Sequence, residues 1–260
     1  MREWKQTGRR LVMVTAYDAP TARAVVRAAA DVILVGDSLG MVVLGYEDTL
    51  QVDMVDMTRH TAAVRRGAPQ ALVIADMPFL SYQAGPERAV LNAGRLVRSG
   101  ADAVKLEGGL DRVPVVEAIG RASIPVMGHL GLTPQSIKVF GGYRVQGRRP
   151  EAAAAIIEAA RALEAAGVFA IVLEGIPSEL GRRVTEAVRV PTIGIGAGPD
   201  TDGQVLVVHD LAGVSEGRMP RFVKRYGEVG EALSAAVAAF AAEVRDGTYP
   251  AREHCYDDRA

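Results

Sequence analysis

The sequence has little cysteine and no long apolar run, and each shortage excludes a class of protein. Cys255 is the only cysteine among the 260 residues, so no disulfide can form within the chain. No apolar stretch approaches the roughly 20 residues that a membrane-spanning helix needs. The first ten residues are basic, but Asp18 interrupts the next stretch before an apolar signal-peptide core is complete. We therefore expect a cytoplasmic protein with no membrane partner.

An excess of charge of either sign is also missing. The chain has 30 Lys and Arg residues against 31 Asp and Glu residues, and the basic residues are scattered. This balance provides no electrostatic case for binding nucleic acid or an anionic membrane. Hydrophobic residues make up 49% of the chain and charged residues 23%, which is close to the globular average. The length is enough for one large domain or two small ones.

Eight short apolar runs recur along the chain, with helix-like stretches between them. Most runs stay apolar until their last residues, which is typical of a parallel sheet that is buried on both faces. Several of the intervening stretches begin with proline and end with glycine, as helices do. The predicted strands are 11–18, 32–38, 72–79, 103–108, 125–131, 170–176, 191–198 and 204–210.

Eight strands that alternate with helices predict an α/β fold, the (β/α)8 or TIM barrel. Only "PDTDG" (199–203) separates the last two predicted strands, which is too short for a helix, so a doubly wound open sheet is the alternative. The chain, 1–260, is interpreted as a single catalytic barrel domain with a short N-terminal extension. A final helix is predicted at about 226–244, with a polar tail after about residue 245.

The stretch "DAVKLEGG" (102–109) places two charges in an otherwise apolar strand. Lys105 and Glu107 are two residues apart, so their side chains point to the same side of the strand. Burying such charges costs several kcal/mol each unless they are paired or bound to a metal. This strand is therefore predicted to line a functional site.

Ionisable residues also stand at the ends of other predicted strands. One acid in such a position is commonly a helix N-cap, but the carboxyl ends of all the strands of a barrel meet at one mouth, where chemistry takes place. The strand-end residues are Asp37 and Ser38 (strand two), Asp76 (three), Lys105 and Glu107 (four), His129 (five), Glu174 (six), and His209 and Asp210 (eight).

Asp37, Asp76 and Glu107 follow three consecutive strands and are predicted to meet at one point. Crowded acids repel one another, so either some remain protonated or a cation lies between them. Carboxylates are hard ligands, which favours Mg²⁺ with positions left for water or substrate. Lys105 is then predicted to face an anionic substrate, and Glu174, two strands further on, to act as a general base.

Other features allow two interpretations each. The stretch "GIGAG" (194–198) is either an anion-binding loop or a tight turn that needs glycine torsions. His129 either contacts substrate or is a structural histidine at a strand end. His60 lies in a helical pattern and is interpreted as a surface or packing residue, and Met54 and Met57 are interpreted as core residues.

The same residues lie in stretches that resemble the ketopantoate (3-methyl-2-oxobutanoate) hydroxymethyltransferase family of pantothenate and coenzyme A biosynthesis. The similarity runs in order from about residue 10 to 225 and includes the short connection before strand eight, which favours the barrel. The similar stretches are "TAYDAPTA" (15–22), "VGDSLGMVVLGYEDT" (35–49), "ADMPFLSY" (75–82), "VKLEGG" (104–109), "GHLGLTPQS" (128–136), "GGYRVQG" (141–147), "LEGIP" (173–177) and "IGIGAGPDTDGQVLVVHD" (193–210).

The resemblance implies a reaction and a role for each candidate. A one-carbon unit passes from 5,10-methylenetetrahydrofolate to 3-methyl-2-oxobutanoate and yields 2-dehydropantoate, and the keto acid chelates one Mg²⁺ per subunit. A cytoplasmic homo-oligomer, usually a decamer, is implied as well. The matching positions are Asp37, Asp76 and Glu107 for the metal, Asp37, Ser38, Asp76 and Lys105 for the substrate, and Glu174 for the base.

Two other functions are alternatives. A Mg²⁺-dependent lyase or phosphonomutase acting on α-keto acids would use the same barrel, but such enzymes usually carry a catalytic cysteine in a flexible loop, and no cysteine precedes Cys255. A catalytically silent metabolite-binding barrel would need no free base. Glu174 separates this silent protein from an enzyme, because a silent binder should tolerate its loss.

Overall fold

The computed structural model describes residues 2–217 and 219–256, and its first compact unit, which ends at Val208, contains a closed barrel of eight parallel strands. The strands pair in sequence order, and the last pairs with the first. This confirms the predicted (β/α)8 barrel and excludes the open sheet. The strands are β1 (Leu11–Thr15), β2 (Val32–Val35), β3 (Leu72–Asp76), β4 (Ala103–Glu107), β5 (Val126–Gly131), β6 (Ala170–Glu174), β7 (Thr192–Ile195) and β8 (Gly203–Leu206).

Helices fill most of the connections between strands. The fully described connection 196–202, between β7 and β8, contains no helix, as its length predicts. The α-helices are α1 (Arg2–Gln6), α2 (Ala19–Arg27), α3 (Leu39–Val42), α4 (Met54–Gly67), α5 (Pro86–Arg98), α6 (Val113–Arg121), α7 (Ile137–Phe140), α8 (Pro150–Ala165), α9 (Ser178–Ala187), α10 (Val208–Leu211) and α11 (Val229–Asp246). Single 3₁₀ turns are Thr49–Gln51, Leu110–Arg112, Pro134–Ser136 and Arg252–His254.

The strands contribute to two apolar cores, one on each face, because successive side chains of a strand point to opposite sides. The larger core lies between the strands and the helices and includes Met57, which is fully buried as predicted. The smaller core fills the inside of the barrel. Its buried members are Leu11, Met13, Val32, Leu34, Ile74, Ala103, Met127, Ala170, Val172, Ile193 and Val205.

The N-terminal extension forms α1 and lies at the amino ends of the strands. The ammonium of Lys5 donates to the carbonyls of Thr185 and Val190 at 2.8 and 3.1 Å and lies 3.1 Å from a carboxylate oxygen of Asp202. Trp4 packs against the interior core. The extension therefore stabilises the end of the barrel opposite to the strand-end acids.

The last predicted strand was too long. Residues 205–208 of the run 204–210 are apolar and mostly β-branched, but β8 ends at Leu206 and α10 begins at Val208. Short apolar runs do not distinguish a strand from a helical segment by periodicity. His209 and Asp210 are therefore not strand-end residues, and Asp210 instead accepts a hydrogen bond of 2.6 Å from Ser215.

The second compact unit begins at His209 and contains α11, which is capped by Gly247 in the left-handed conformation that favours glycine. Phe240 and Tyr249 pack edge to face with ring centroids 5.2 Å apart. None of the residues of α11 is buried. The predicted final helix is thus present, and the polar tail lies partly outside the described residues.

None of the described helices combines the length and the apolar character needed to cross a membrane.

Two mid-helix glycines provide a test of the packing. A Cβ atom on Gly181 of α9 would lie 2.1 Å from the carbonyl oxygen of Ala197, whereas a Cβ atom on Gly94 of α5 would meet nothing within 4 Å. We expect Gly181→Ala to destabilise the protein by about 1–3 kcal/mol, since backbone must move. Gly94→Ala should instead stabilise it by about 0.5–1 kcal/mol.

Urea denaturation of the two variants measures both effects. Equal changes in the free energy of unfolding would contradict the close approach of α9 to the loop after β7.

Candidate active site

The inward positions of the strands change from apolar to polar at their carboxyl ends. Asp76, Lys105, Glu107, His129 and Glu174 continue the alternation of the interior core, and the first four are buried. Strand pairing places Asp76 opposite Lys105 and Glu107 opposite His129. The prediction that Lys105 and Glu107 share one face of a buried strand is thus met by the structure.

Asp37 reaches this cluster from the turn after β2. Its backbone N–H donates to Asp76 Oδ2 at 3.1 Å. The preceding residue is Gly36, where a Cβ atom would lie 2.7 Å from the hydroxyl oxygen of Ser38. Ser38 Oγ lies 2.9 Å from the hydroxyl oxygen of Tyr17, which holds it beside Asp37 at the start of α3. The structure therefore brings Asp37 and Asp76 together, with Ser38 next to them.

A buried ion pair joins Asp76 to Lys105. Their Oδ1 and Nζ atoms are 2.9 Å apart, and each side chain is only 5% exposed. Burial raises the pKa of Asp76 more than the neighbouring ammonium lowers it. Burial lowers the pKa of Lys105, but the charges of Asp76, Glu107 and Asp37 raise it above its usual value. Lys105 therefore stays protonated and supplies positive charge to the acid cluster.

The three acids repel one another. Burial raises the pKa of Asp37 well above its usual value, and the charges of Asp76 and Glu107 raise it further, whereas Lys105 and a hydrogen bond from Gln135 lower it. One ammonium thus does not compensate all three buried carboxylates. A divalent cation fits this donor set, because hard oxygen ligands and unbalanced negative charge are what Mg²⁺ needs.

The number of protein side chains available as ligands also agrees with Mg²⁺. Among residues 2–217 and 219–256, no group of three or more His, Cys, Asp or Glu side chains is arranged to hold a metal ion. Mg²⁺ is usually bound through one or two carboxylates, with water and substrate oxygens as the other ligands. Both oxygens of Glu107 have protein neighbours, the N–H of Gln135 at 3.0 Å and Nδ1 of His129 at 3.4 Å. Both oxygens of Asp76 have protein neighbours as well, the backbone N–H of Asp37 at 3.1 Å and Nζ of Lys105 at 2.9 Å, so Asp37, Asp76 and Glu107 are all candidate ligands.

His129 connects Glu107 to Glu174. Its Nε2 lies 3.2 Å from Glu174 Oε2, and its Nδ1 lies 3.4 Å from Glu107 Oε1 and 3.2 Å from Lys105 Nζ. Burial and Lys105 lower the pKa of His129, but hydrogen bonds to the two glutamates raise it to about 9. The protonated ring is ion-paired with both carboxylates, so the contact with Lys105 is a repulsion between cations rather than a hydrogen bond. The structure thus places His129, near the end of β5, inside the acid cluster.

A hydrogen-bond network behind the acids was not predicted. Gln135 and Tyr82 lie in it, both buried, on the loops after β5 and β3. Both belong to stretches on which the family resemblance is based, and that was the only sequence signal for them. The GIGAG loop, in contrast, is a turn in which Gly196 and Gly198 have positive φ, and His60 packs through a 2.6 Å hydrogen bond to the carbonyl of Tyr17.

Two loops meet at the rim of the mouth. Lys138, after β5, forms a 3.1 Å ion pair with Asp48, after β2. The hydroxyl of Tyr143 donates to the sulfur of Met41 at 3.4 Å across the same two loops. Partial burial raises the pKa of Tyr143 to about 12, with help from the charges of Asp48 and Glu174. The rim thus places an aromatic ring near the acid cluster.

Together, these features define a barrel enzyme with a carboxylate and lysine site at the carboxyl ends of its strands. The profile of the ketopantoate hydroxymethyltransferase family matches residues 1–252. The chain is 58% identical to 3-methyl-2-oxobutanoate hydroxymethyltransferase of Pyrobaculum neutrophilum, over 94% of this chain and 93% of that protein. It is 57% identical to the enzyme of the same name from Moorella thermoacetica, over 98% and 96% of the two chains. The chain belongs to the ketopantoate hydroxymethyltransferase family and is a hydroxymethyltransferase.

Solved structures with lower sequence identity have the same fold. The chain matches 2,3-dimethylmalate lyase with a TM-score of 0.62 and 20% identity, over 95% of this chain and 86% of the lyase. It matches phosphonopyruvate hydrolase, in a complex with oxalate and Mg²⁺, with a TM-score of 0.63 and 14% identity, over 99% and 90% of the chains. At these identities the similarity supports the barrel fold alone.

The position of His129 predicts its titration. In the metal-free protein the imidazole should titrate near pH 9, because two glutamates hold its proton. Its folded pKa is raised above the unfolded value of about 6.5, so the stabilisation is fully present below about pH 6.5 and is lost as the pH rises through about 9. Nitrogen-15 NMR of the histidine rings measures the pKa.

Glu174→Gln should lower the pKa of His129, and Glu158→Gln, on the outer helix α8, should leave it unchanged. A ring that titrates at or below its ordinary pKa in the parent protein would contradict the two contacts.

Proposed function

We propose that this protein transfers a hydroxymethyl unit from 5,10-methylenetetrahydrofolate to 3-methyl-2-oxobutanoate and forms 2-dehydropantoate in pantothenate biosynthesis, with Mg²⁺ as its cofactor. Family membership and the names of relatives above 50% identity support the reaction. The observation that carries the proposal is the arrangement of the acidic side chains in the site. Asp37, Asp76 and Glu107 form one crowded group with Lys105, and Glu174 stands apart from that group.

Asp37, Asp76 and Glu107 would hold the cation, and Ser38 and Lys105 would contact the keto acid. When bound, Mg²⁺ would act as a Lewis acid toward the keto oxygen of the substrate and stabilise negative charge there. Lys105 is already protonated and buried, so it adds a second positive charge close to the substrate carboxylate. These residues therefore bind and orient the keto acid.

Glu174 would remove the proton from C3 of the keto acid. Its side chain is 17% exposed, whereas that of Glu107 is 4% exposed, so Glu174 is the more accessible of the two glutamates. The contact with His129 holds its carboxylate in one orientation. The C3 carbanion, in its enolate form, then attacks the methylene carbon of the folate. Both carbon–nitrogen bonds of that methylene break, one as the carbon–carbon bond forms and the second as a water oxygen replaces the nitrogen and becomes the hydroxyl group. The two nitrogens take up the C3 proton and one proton of the water, and tetrahydrofolate leaves.

The lyase or phosphonomutase alternative shares the barrel fold but has less support. The structures of that kind are no more than 20% identical to this chain, whereas the named transferases exceed 50%. The proposed cytoplasmic homodecamer rests on the family resemblance alone.

Removal of Asp37 tests the cation site. Asp37→Ala keeps the Lys105–Asp76 ion pair, so the fold should persist, but it deletes one proposed ligand. We expect Mg²⁺-dependent binding of 3-methyl-2-oxobutanoate to weaken at least about 100-fold, since even indirect partners of a metal contribute 10–100-fold. Calorimetric titration of the keto acid with Mg²⁺ or with EDTA measures this.

Asp200→Ala is the matched control, because Asp200 is exposed on the connection between β7 and β8. Parent protein that binds the keto acid equally well in EDTA would refute the cation model.

Replacement of Glu174 separates the base from the ligands. Glu174→Gln is nearly isosteric and cannot accept a proton, so binding of Mg²⁺ and keto acid should persist while proton removal fails. The loss should be on the order of 10²–10⁴-fold, the usual contribution of a positioned general base. Proton NMR of 3-methyl-2-oxobutanoate in D₂O follows exchange of the C3 hydrogen, and the complete reaction with the folate can be followed where exchange is slow.

Glu158→Gln is again the control, because it replaces a glutamate by glutamine at a position outside the site. Normal exchange or turnover in Glu174→Gln would assign the base to another group, with His129 the first to test. Absence of exchange and of turnover in the parent protein would favour the silent binder.

A further inference from the structure

Gln135 contacts two of the three clustered acids, Asp37 through its side chain and Glu107 through its backbone. Gln135 lies in the 3₁₀ turn Pro134–Ser136 after β5 and is 6% exposed. Its Nε2 donates to Asp37 Oδ2 at 2.8 Å and to the carbonyl oxygen of Met77 at 2.9 Å. Its backbone N–H donates to Glu107 Oε2 at 3.0 Å. A single residue therefore holds two acids that come from different strands.

The orientation of this amide is determined by its neighbours. The carbonyl of Met77 can only accept a hydrogen bond, so the nitrogen of Gln135 must point toward it whatever the protonation state of Asp37. On the other side, Oε1 accepts from the hydroxyl of Tyr82 at 2.7 Å and from Nε2 of Gln83 at 3.1 Å. The side-chain amide thus makes the four hydrogen bonds of which it is capable.

Tyr82 holds the oxygen, or acceptor, side of the Gln135 amide. It is fully buried, and its hydroxyl accepts the backbone N–H of Glu107 at 3.1 Å. The hydroxyl has one proton, and the shorter contact is to Gln135 Oε1 at 2.7 Å rather than to the carbonyl of Glu107 at 3.2 Å. Burial raises the pKa of Tyr82 well above its usual value, so the hydroxyl keeps this proton.

We propose that Gln135 is a positioning residue, which fixes the carboxylate of Asp37 for binding a divalent cation, and that Tyr82 acts on the same carboxylate by orienting the amide of Gln135. This inference rests on the proposed function, because it assumes that Asp37 takes part in cation binding. Neither residue touches the reacting atoms. A fixed carboxylate binds a small cation better because the ordering occurs during folding rather than during binding.

The test uses Mn²⁺ as the probe, because Mn²⁺ prefers the same hard oxygen ligands as Mg²⁺ and is detected by electron paramagnetic resonance. Gln135→Met keeps the length of the side chain and removes its donor to a charged group, so the dissociation constant for Mn²⁺ should rise about 10- to 100-fold. Tyr82→Phe removes a neutral hydrogen bond and keeps the ring, so the dissociation constant should rise about 2- to 10-fold. Gln204→Met, on β8, controls for the substitution itself and should change nothing.

The double variant tests whether Tyr82 affects cation binding by orienting the amide of Gln135. If Tyr82 acts through Gln135, the loss in Tyr82→Phe/Gln135→Met is smaller than the product of the two single losses. A loss equal to that product would overturn the orienting role of Tyr82.

Melting temperatures of the variants show whether Gln135 and Tyr82 position the carboxylate of Asp37 or only stabilise the fold. A lower melting temperature with an unchanged dissociation constant in both single variants would overturn the proposal, and Tyr82→Phe provides the measurement if Gln135→Met does not fold. Parent protein that binds no Mn²⁺ would overturn the proposed cation site itself. Parent protein that binds Mn²⁺ only as tightly as Gln135→Met does would overturn the positioning role alone.

Discussion

The ion pair between Lys105 and Asp76 is the interaction on which the site depends. Three carboxylates from neighbouring strands are buried at the mouth of the barrel, and burial alone would favour their neutral forms. An ammonium 2.9 Å from Asp76 and the imidazolium of His129 beside Glu107 keep negative charge in the cluster without compensating all three carboxylates. A group with this imbalance attracts a divalent ion and an anionic substrate together, because each compensates the other.

The barrel and the site are built by the same alternation of side chains. Below the mouth, inward positions carry apolar residues such as Ile74, Ala103 and Met127, which fill the interior without a channel. Two residues further along the same strands, the inward positions carry Asp76, Lys105 and His129. The charged side chains therefore stand on a packed apolar layer, which limits their movement and excludes water from beneath them.

Most of the fold and of the candidate site could be predicted, because both depend on short patterns in the sequence. Strand positions and the strand-end acids follow from runs of six to eight residues and from the general topology of barrels. Gln135 could not be predicted in the same way, since its contacts with Asp37 and Tyr82 span 98 and 53 residues of sequence. The glutamine has no local signature, because its environment is formed by loops whose conformation the apolar pattern does not specify. The end of β8 was misplaced for the opposite reason, because its apolar pattern was real but suited a helix equally well.

Closure of the barrel by β1 and β8 has a consequence for biosynthesis of the chain. Leu11 pairs opposite Gly203, so the first strand lacks one of its two neighbours until nearly the whole barrel has been synthesised. Pairing of strands so far apart in sequence is slow, because a long loop must close before any contact compensates for the lost entropy. During that interval β1 presents an unpaired edge, to which another nascent chain can add a strand. We expect the period between translation of β2 and of β8 to be the time at which this protein is most prone to aggregate.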